Sequence, residues 1–258
     1  MMENKIVTLK INGINTSVKE GSTILDAARQ EMIYIPTLCH HDSMEPYGGC
    51  RLCVVEIGEN ANSRIISSCQ YRVEEGLVVR TDTERVKRVR KLVLGLLLID
   101  ASENDTLLRL AERLGIKKID RFKAKNEPCI LCGLCIRACR EIVGVSAIDY
   151  VKRGYEKVVA APFFKKSKDC IGCGTCFYVC PTGAVKLHEI EEGGKGKIPE
   201  GEEIKGPARI IDNWKVGFDF QKCKVCGESF IPLKQIEFIK EKVKIEEGFF
   251  ETCLNCKK

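Results

Sequence analysis

The N-terminal residues alternate apolar and polar side chains in two short runs, 6–11 and 14–18. A period of two residues is typical of β-strands that bury one face. Asn12-Gly13 lies between the runs and favours the tight turn of a β-hairpin. A helical pattern follows the second run, so the strand–strand–helix order predicts a β-grasp fold.

Three stretches space their apolar residues three or four apart, as amphipathic helices do. The first begins at Ser22 or Thr23, either of which can cap it, and continues to about residue 33. The second opens with the capping box T-x-x-E at Thr81–Glu84, and the third runs from about Asp105 to residue 115. The expected apolar positions are Ile24, Leu25, Ala28 and Met32 in the first helix; Val86, Val89, Leu92, Val93, Leu96 and Leu97 in the second; and Leu107, Leu108, Ala111 and Leu114 in the third.

The later part of the chain has fewer regular stretches. Residues 148–151 and 156–160 flank Arg153-Gly154 and predict a second hairpin. Residues 189–207 are rich in Gly, Glu and Lys and poor in apolar residues, which predicts a flexible linker. A last helical pattern covers residues 233–243.

Eight cysteines repeat the spacing C-x2-C-x2-C-x3-C twice. Three cysteines on a tight loop supply three thiolates to an iron-sulfur cubane, and in tandem motifs the fourth thiolate comes from the other copy. Gly133, Gly172 and Gly174 let these loops wrap closely around a cluster. Zinc or a disulfide ladder is the alternative, although zinc sites rarely use three cysteines at this spacing. The predicted [4Fe-4S] ligand sets are Cys129, Cys132, Cys135 and Cys180, and Cys170, Cys173, Cys176 and Cys139.

Four earlier cysteines, Cys39, Cys50, Cys53 and Cys69, predict a [2Fe-2S] ligand loop. Plant-type ferredoxins place their first two ligands closer together, as C-x4-C-x2-C, so the longer first gap is a departure from that pattern. A structural zinc site is the alternative, although zinc sites favour two close pairs. The neighbouring His40 and His41 are interpreted as solvated, or as tuning the potential through hydrogen bonds, because four cysteines already complete the site.

Two C-x2-C pairs remain near the end of the chain, Cys223 with Cys226 and Cys253 with Cys256. Two such pairs are typical of a tetrahedral zinc site. A rubredoxin-like iron or a further [4Fe-4S] cluster also uses four thiolates, and the sequence does not separate the three.

Composition narrows the class of protein. Sixteen cysteines among 258 residues, with no apolar leader at the start, predict reduced thiols that bind metal in the cytoplasm. The longest apolar run, 92–99, is shorter than the roughly 20 residues that cross a bilayer, so a soluble protein is expected. The net charge of +6 comes from interleaved basic and acidic residues, so no nucleic-acid partner is expected.

Two cysteine segments carry a family resemblance. They read Ile35-Pro-Thr-Leu-Cys-His-His with Gly49-Cys-Arg-Leu-Cys-Val-Val-Glu-Ile, and Pro128-Cys-Ile-Leu-Cys-Gly-Leu-Cys-Ile-Arg-Ala-Cys-Arg-Glu. They resemble the N-terminal part of the complex I 75-kDa subunit, the accessory domains of [FeFe] hydrogenases and the small diaphorase subunit of soluble NAD-linked [NiFe] hydrogenases. The resemblance covers about residues 5–187. It also implies a further [4Fe-4S] cluster held by one histidine and three cysteines, but Asp100 stands in the histidine's place and no cysteine lies between Cys69 and Cys129.

The resemblance implies an electron-relay subunit that performs no bond chemistry itself. Its implied partners are a flavoprotein subunit that binds NAD(H), a thioredoxin-like [2Fe-2S] subunit, and a catalytic hydrogenase or formate dehydrogenase subunit. Ferredoxin as a further partner would make the complex electron-bifurcating. The alternatives are a free-standing ferredoxin-like carrier or iron-sulfur scaffold, and a zinc-dependent nucleic-acid binder, which the mixed charge pattern does not favour.

These features together predict an α+β chain in five parts. They are a β-grasp [2Fe-2S] domain (1–80), a helical segment lacking the family's histidine-ligated cluster (81–121), a two-[4Fe-4S] ferredoxin-like domain (122–188), a linker (189–207) and a metal-binding domain with four cysteine ligands (208–258). The predicted cofactors are one [2Fe-2S] cluster, two [4Fe-4S] clusters and one zinc ion.

Overall fold

The computed structural model describes residues 5–59, 62–116, 127–246 and 248–257. The chain divides into two compact units, Met1–Gly133 and Leu134–Lys258, and each mixes helices with strands. Within the described ranges, no helix combines the length and the apolar character that crossing a membrane requires.

The first unit is built on a five-stranded sheet. Its strands are β1 Ile6–Ile11, β2 Ile14–Lys19, β3 Val54–Ile57, β4 Arg64–Ser67 and β5 Leu77–Arg80, in the order β2-β1-β5-β3-β4. The central strand, β5, is parallel to β1, whereas the other neighbouring strands are antiparallel. The predicted first hairpin is confirmed, with Asn12 and Gly13 at φ 51° and 90° in its turn.

One helix, α1 Ile24–Gln30, packs against this sheet. Thr23 caps it in a capping box with Asp26, which confirms one of the two predicted caps. Ile24, Leu25 and Ala28 are buried as expected. Met32 is not part of the buried face, because the helix has ended before it and its side chain is 93% exposed.

Two further helices follow the sheet, α2 Glu84–Asp100 and α3 Asp105–Arg113. The predicted N-cap of α2 is wrong by two residues: Thr83 caps the helix by accepting a hydrogen bond from the Val86 amide. Thr81 instead accepts a hydrogen bond from the Asn12 side chain at 2.7 Å.

The buried face of α2 also differs from the prediction. Val86 is buried as expected, but Leu92 and Leu96 are 59% and 49% exposed. The buried positions are Val86, Arg90, Leu94, Gly95 and Leu98. Arg90 lies at the centre of this face because its guanidinium donates hydrogen bonds to the backbone oxygens of Leu52 at 3.2 Å and Val54 at 2.8 Å.

The second unit begins with a short helix, α4 Leu134–Arg137, and a π-helical turn, Ala138–Ile142, directly follows it. A second short helix, α5 Thr175–Tyr178, comes later in the chain. Between α4 and α5 lies an antiparallel hairpin of β6 Asp149–Val151 and β7 Val158–Ala160. The hairpin predicted around Arg153-Gly154 is therefore confirmed.

The remaining strands of this unit are β8 Leu187–Ile190, β9 Lys195–Lys197, β10 Glu203–Lys205, β11 Ala208–Ile211, β12 Val216–Lys222 and β13 Ser229–Pro232. Four of them form an antiparallel sheet in the order β13-β12-β11-β8. The expected flexible linker at 189–207 is wrong, because those residues include the end of β8 and a paired hairpin of β9 and β10. The predicted last helix is confirmed as α6 Leu233–Lys242.

Candidate metal centres

Four buried cysteines of the first unit lie in loops beside the sheet. Cys39 follows α1, Cys50 and Cys53 precede β3, and Cys69 follows β4. Leu94 and Leu98 of α2 and Leu107 of α3 pack in one apolar cluster with Cys39 and Cys50. The helical segment thus supports the loop that carries these two cysteines.

These four cysteines form two pairs. The Sγ atoms of Cys53 and Cys69 are 3.3 Å apart, and the Cys50 amide donates to Cys39 Sγ at 3.2 Å. A hydrogen bond between the side chains of Cys39 and Cys50 lowers the pKa of Cys50 to about 6, and the bond between the side chains of Cys53 and Cys69 lowers the pKa of Cys53 to about 6. The same two bonds raise the pKa values of Cys39 and Cys69. Each pair therefore favours one thiolate beside one thiol.

His40 lies beside this group, with its Nε2 atom 3.1 Å from the Asp42 carboxylate. Burial lowers the pKa of His40, which favours the neutral ring. Among the described residues its buried Nδ1 atom has no hydrogen-bond partner.

One cavity of the second unit brings together four cysteines of the tandem motifs, Cys139, Cys170, Cys173 and Cys176. It encloses about 360 Å³ of empty space, part of which is open to solvent. Cys180 is not among the described residues that line it. Burial raises the pKa of Cys170 to about 11 and of Cys176 to about 12. Burial also raises the pKa of Cys139.

Hydrogen-bond donors point at three of these sulfurs. The Ala147 amide donates to Cys139 Sγ at 3.3 Å, and the Thr175 hydroxyl donates to Cys173 Sγ at 3.4 Å. The Trp214 indole N–H donates to Cys176 Sγ at 3.3 Å. Such donors stabilise negative charge on sulfur, so the cavity suits thiolates once their protons have left.

The other predicted [4Fe-4S] ligand set spans both units. Cys129 and Cys132 lie in the first unit, whereas Cys135 and Cys180 lie in the second. Cys132 packs partly buried in the apolar cluster that contains Cys39 and Cys50. Cys180 Sγ accepts a hydrogen bond from the Ala184 amide at 3.2 Å. The joining of these four cysteines into one site stays a prediction.

The last four cysteines, Cys223, Cys226, Cys253 and Cys256, lie together, with all Sγ atoms within 4.8 Å of one another. The distance between the Sγ atoms of Cys226 and Cys253 is 3.7 Å. A zinc–sulfur bond of about 2.3 Å gives a tetrahedron with edges of about 3.8 Å. A hydrogen bond from the Cys226 amide helps to lower the pKa of Cys223 to about 6, while the bond with Cys253 raises the pKa of Cys256 to about 12.

We call the cavity lined by Cys139, Cys170, Cys173 and Cys176 the cluster cavity. Sequence reasoning missed two residues beside it, Trp214 and Arg209. Neither lies at a recognisable spacing from a cysteine, because both reach the site from the later sheet. The one signal in the sequence was that Trp214 is the only tryptophan of the chain.

Two known domain families match the chain. A 2Fe-2S iron-sulfur cluster binding domain matches residues 4–84, and a 4Fe-4S dicluster domain matches residues 128–184. The chain therefore has an N-terminal 2Fe-2S domain and a later 4Fe-4S domain. Residues 185–258 lie beyond both matches.

Several curated proteins are similar to this chain. The NADP-reducing hydrogenase subunit HndD of Solidesulfovibrio fructosivorans is 35% identical over 215 residues, which is 71% of this chain and 36% of that protein. NADPH-Fe(3+) oxidoreductase subunit alpha of Geobacter sulfurreducens is 33% identical, over 70% of this chain and 24% of that protein. An NADH-quinone oxidoreductase subunit of Rickettsia conorii is 30% identical, over 70% of this chain and 30% of that protein. The chain thus spans about a quarter to a third of the length of these relatives.

A chain in the crystal structure of an NAD+-reducing [NiFe]-hydrogenase in the H2-reduced state is also similar, with 29% sequence identity and a TM-score of 0.58. The match covers 69% of this chain and 86% of that chain. The resemblance predicted from the two cysteine segments is therefore confirmed.

Proposed function

We propose that this chain is an iron-sulfur electron-relay subunit of a multisubunit NAD(P)-linked oxidoreductase of the hydrogenase or formate dehydrogenase type. The observation that carries the proposal is the cavity lined by Cys139, Cys170, Cys173 and Cys176 within the 4Fe-4S dicluster region. The similarity to subunits of an NADP-reducing hydrogenase, an NADPH-Fe(3+) oxidoreductase and an NADH-quinone oxidoreductase supports the NAD(P)-linked class.

The four cysteines of this cavity fit one [4Fe-4S] cluster. The four cysteines line one cavity with largely apolar walls, and donors are directed at three of the sulfurs. The position of Cys139 supports ligand exchange between the two motifs. By the same rule Cys180 would complete the set begun by Cys129, Cys132 and Cys135. Once loaded, these sites would supply one-electron transfer.

The first unit is proposed to hold the [2Fe-2S] cluster within a β-grasp domain. The two sulfur pairs, Cys39 with Cys50 and Cys53 with Cys69, suit a cluster in which each of two irons takes two thiolates. The five-stranded sheet with one packed helix supports the β-grasp assignment.

The last four cysteines are proposed to hold one zinc ion. Their sulfurs are close enough together for a single tetrahedral ion, whereas a cubane separates its thiolates over a larger cage. A rubredoxin-like iron has nearly the same geometry. Zinc is preferred because two C-x2-C pairs are typical of structural zinc sites.

Although the residues that hold the family's histidine-ligated cluster are missing, the [2Fe-2S] loop and the start of the first tandem motif still pack together. Ile130 and Cys132, at the start of the first tandem motif, pack in the same apolar cluster as Cys39 and Cys50. This packing within the first unit supports direct electron exchange between the [2Fe-2S] loop and the segment that begins the first tandem motif. Asp100, at the end of α2, has no ligand role in this proposal.

The proposed partners are a flavoprotein that binds NAD(H), a thioredoxin-like [2Fe-2S] subunit and a catalytic hydrogenase or dehydrogenase subunit. Ferredoxin is a further proposed partner, and its participation would allow electron bifurcation. The second candidate is a free-standing iron-sulfur carrier. Co-purification separates the two, because a relay subunit stays with a flavoprotein through gel filtration whereas a free carrier elutes alone.

The test of function compares two activities of the reconstituted complex after Cys173→Ser. Coupled turnover from NADH to the catalytic subunit should collapse. Reduction of an artificial dye by the flavin should largely survive, because it bypasses this chain. A variant shown to lack that cluster but still active in both assays would refute the relay.

A further inference from the structure

The segment Ala208–Phe218 lies beyond the matched 4Fe-4S region but forms part of the cluster cavity. It comprises β11, a 3-10 turn at Asp212–Trp214 and the start of β12. We call it the cover segment. Trp214 within it is 3% exposed. Ile211, Val216 and Phe218 pack in the same apolar cluster as Cys170 and Cys176.

The cover segment is held against the ligand loop by specific contacts. Arg209 donates a hydrogen bond to the backbone oxygen of Gly172 at 2.8 Å, and its guanidinium also binds the Glu189 carboxylate at 2.6 Å. Gly172 lies directly under the Phe218 ring, where a Cβ atom would be 2.6 Å from a ring carbon. The loop and the cover segment therefore have little freedom to slide past each other.

These contacts fix the hydrogen bond from Trp214 Nε1 to Cys176 Sγ, at 3.3 Å. An indole N–H donates and cannot accept. An electron added to a cluster increases the negative charge on its sulfurs, so a fixed donor stabilises the reduced state more than the oxidised state. Because the site is buried, water is poorly placed to replace this donor.

We propose that the cover segment raises the reduction potential of the cluster held by Cys139, Cys170, Cys173 and Cys176, through the hydrogen bond from Trp214 to Cys176. The proposal rests on the ligand assignment made above. Trp214 is a positioning and tuning residue, and it does not bind the metal itself. Residues outside the matched 4Fe-4S region thereby adjust the reduction potential of a cluster whose ligands lie inside that region.

The test uses the fact that the chain has one tryptophan. Expression in a tryptophan auxotroph supplied with benzothienylalanine replaces the indole N–H by sulfur and keeps the bicyclic shape. The full protein is then titrated electrochemically and followed by electron paramagnetic resonance. The signal that is missing from Cys173→Ser protein identifies the relevant cluster. Reduction of that cluster should become about fivefold less favourable, which for a one-electron couple is a fall of about 40 mV.

Two controls keep the result specific. The other clusters in the same sample should keep their potentials, because Trp214 donates to none of their proposed ligands. Protein containing 5-fluorotryptophan retains a more acidic N–H, so its potential should shift slightly upward instead. The opposite signs of the two shifts would not arise from loosened packing.

Iron content and reduction potential together distinguish a wrong ligand assignment from a wrong tuning proposal. If the unsubstituted protein lacks the cluster whose signal Cys173→Ser should remove, the ligand assignment fails. If that cluster is present and its potential is the same with tryptophan, benzothienylalanine and 5-fluorotryptophan, the tuning proposal is overturned while the relay function stands. Loss of the cluster in benzothienylalanine protein alone would also overturn tuning, because the N–H would then be needed for assembly.

Discussion

The pKa values of the cysteine side chains are shifted by different causes at different sites. In the first unit, hydrogen bonds between paired sulfurs lower one pKa and raise the other. In the cluster cavity, burial is the main cause, and it raises the pKa values of Cys170 and Cys176. The proposed cluster would therefore have to displace protons from buried thiols, and the donors from Ala147 and Trp214 would compensate part of that cost.

The position of Cys139 leads to a prediction about ligand exchange. Cys139→Ser should damage the cluster that Cys173→Ser damages, so the two variants should lack the same resonance signal and about four irons each. Cys180→Ser is the matched control, because it should remove the signal that Cys132→Ser removes. If Cys139→Ser protein instead matched Cys132→Ser protein, each motif would complete its own cluster.

Candidate cysteine ligands can be predicted from the sequence because their spacing is local. Three predicted ligands of each tandem motif lie within seven consecutive residues, and the exchange of the fourth follows a known rule. Trp214 and Arg209 cannot be predicted in this way, since their contacts with Cys176 and Gly172 span 38 and 37 residues. Nothing in the residues around either side chain indicates its partner.

At the scale of elements, α2 shows how one buried charge can change the orientation of a helix. Pattern reasoning places arginine in solvent and leucine in the core. Here Arg90 supplies donors to two backbone oxygens near the ligand loop, at Leu52 and Val54. The helix therefore turns Arg90 and Leu94 inward and leaves Leu92 and Leu96 exposed.

This orientation predicts unequal effects of two similar substitutions on α2. Leu94→Ala removes a fully buried side chain and should lower the free energy of unfolding by about 2 to 5 kcal/mol. Leu92→Ala, two positions earlier, should change it by less than about 0.5 kcal/mol, because that side chain is largely exposed. Urea denaturation followed by circular dichroism measures both. Equal decreases in the free energy of unfolding would mean that Leu92 is buried as well, as the sequence pattern predicts.

The prediction of a flexible linker at residues 189–207 was wrong for a different reason. Its glycines suggested flexibility, but several of them allow close packing. A side chain at Gly196 would overlap Ile190, and one at Gly206 would overlap the backbone of Glu191. Glycine content alone does not distinguish a mobile chain from one in which strands approach closely.

At the scale of the molecule, the later sheet connects two sites that the sequence assigned to separate domains. Strand β12 begins beside the cluster cavity at Val216 and Phe218, and it ends at Lys222 directly before Cys223. Both sites lie within one compact unit. The group of four cysteines that begins at Cys223 therefore lies at the far end of β12, the strand whose first residues belong to the cover segment.

Metal analysis tests this arrangement as a whole. Intact protein prepared without oxygen should contain about ten irons and one zinc, from one [2Fe-2S] cluster, two [4Fe-4S] clusters and the ion of the last four cysteines. Cys253→Ser should lose the zinc and keep the iron, whereas Cys173→Ser should lose about four irons and keep the zinc. About eleven irons without zinc would identify a rubredoxin-like site, and about fourteen would identify a third cubane. The second result would also mean that the four sulfurs, which lie within 4.8 Å of one another here, must move apart to hold the larger cage.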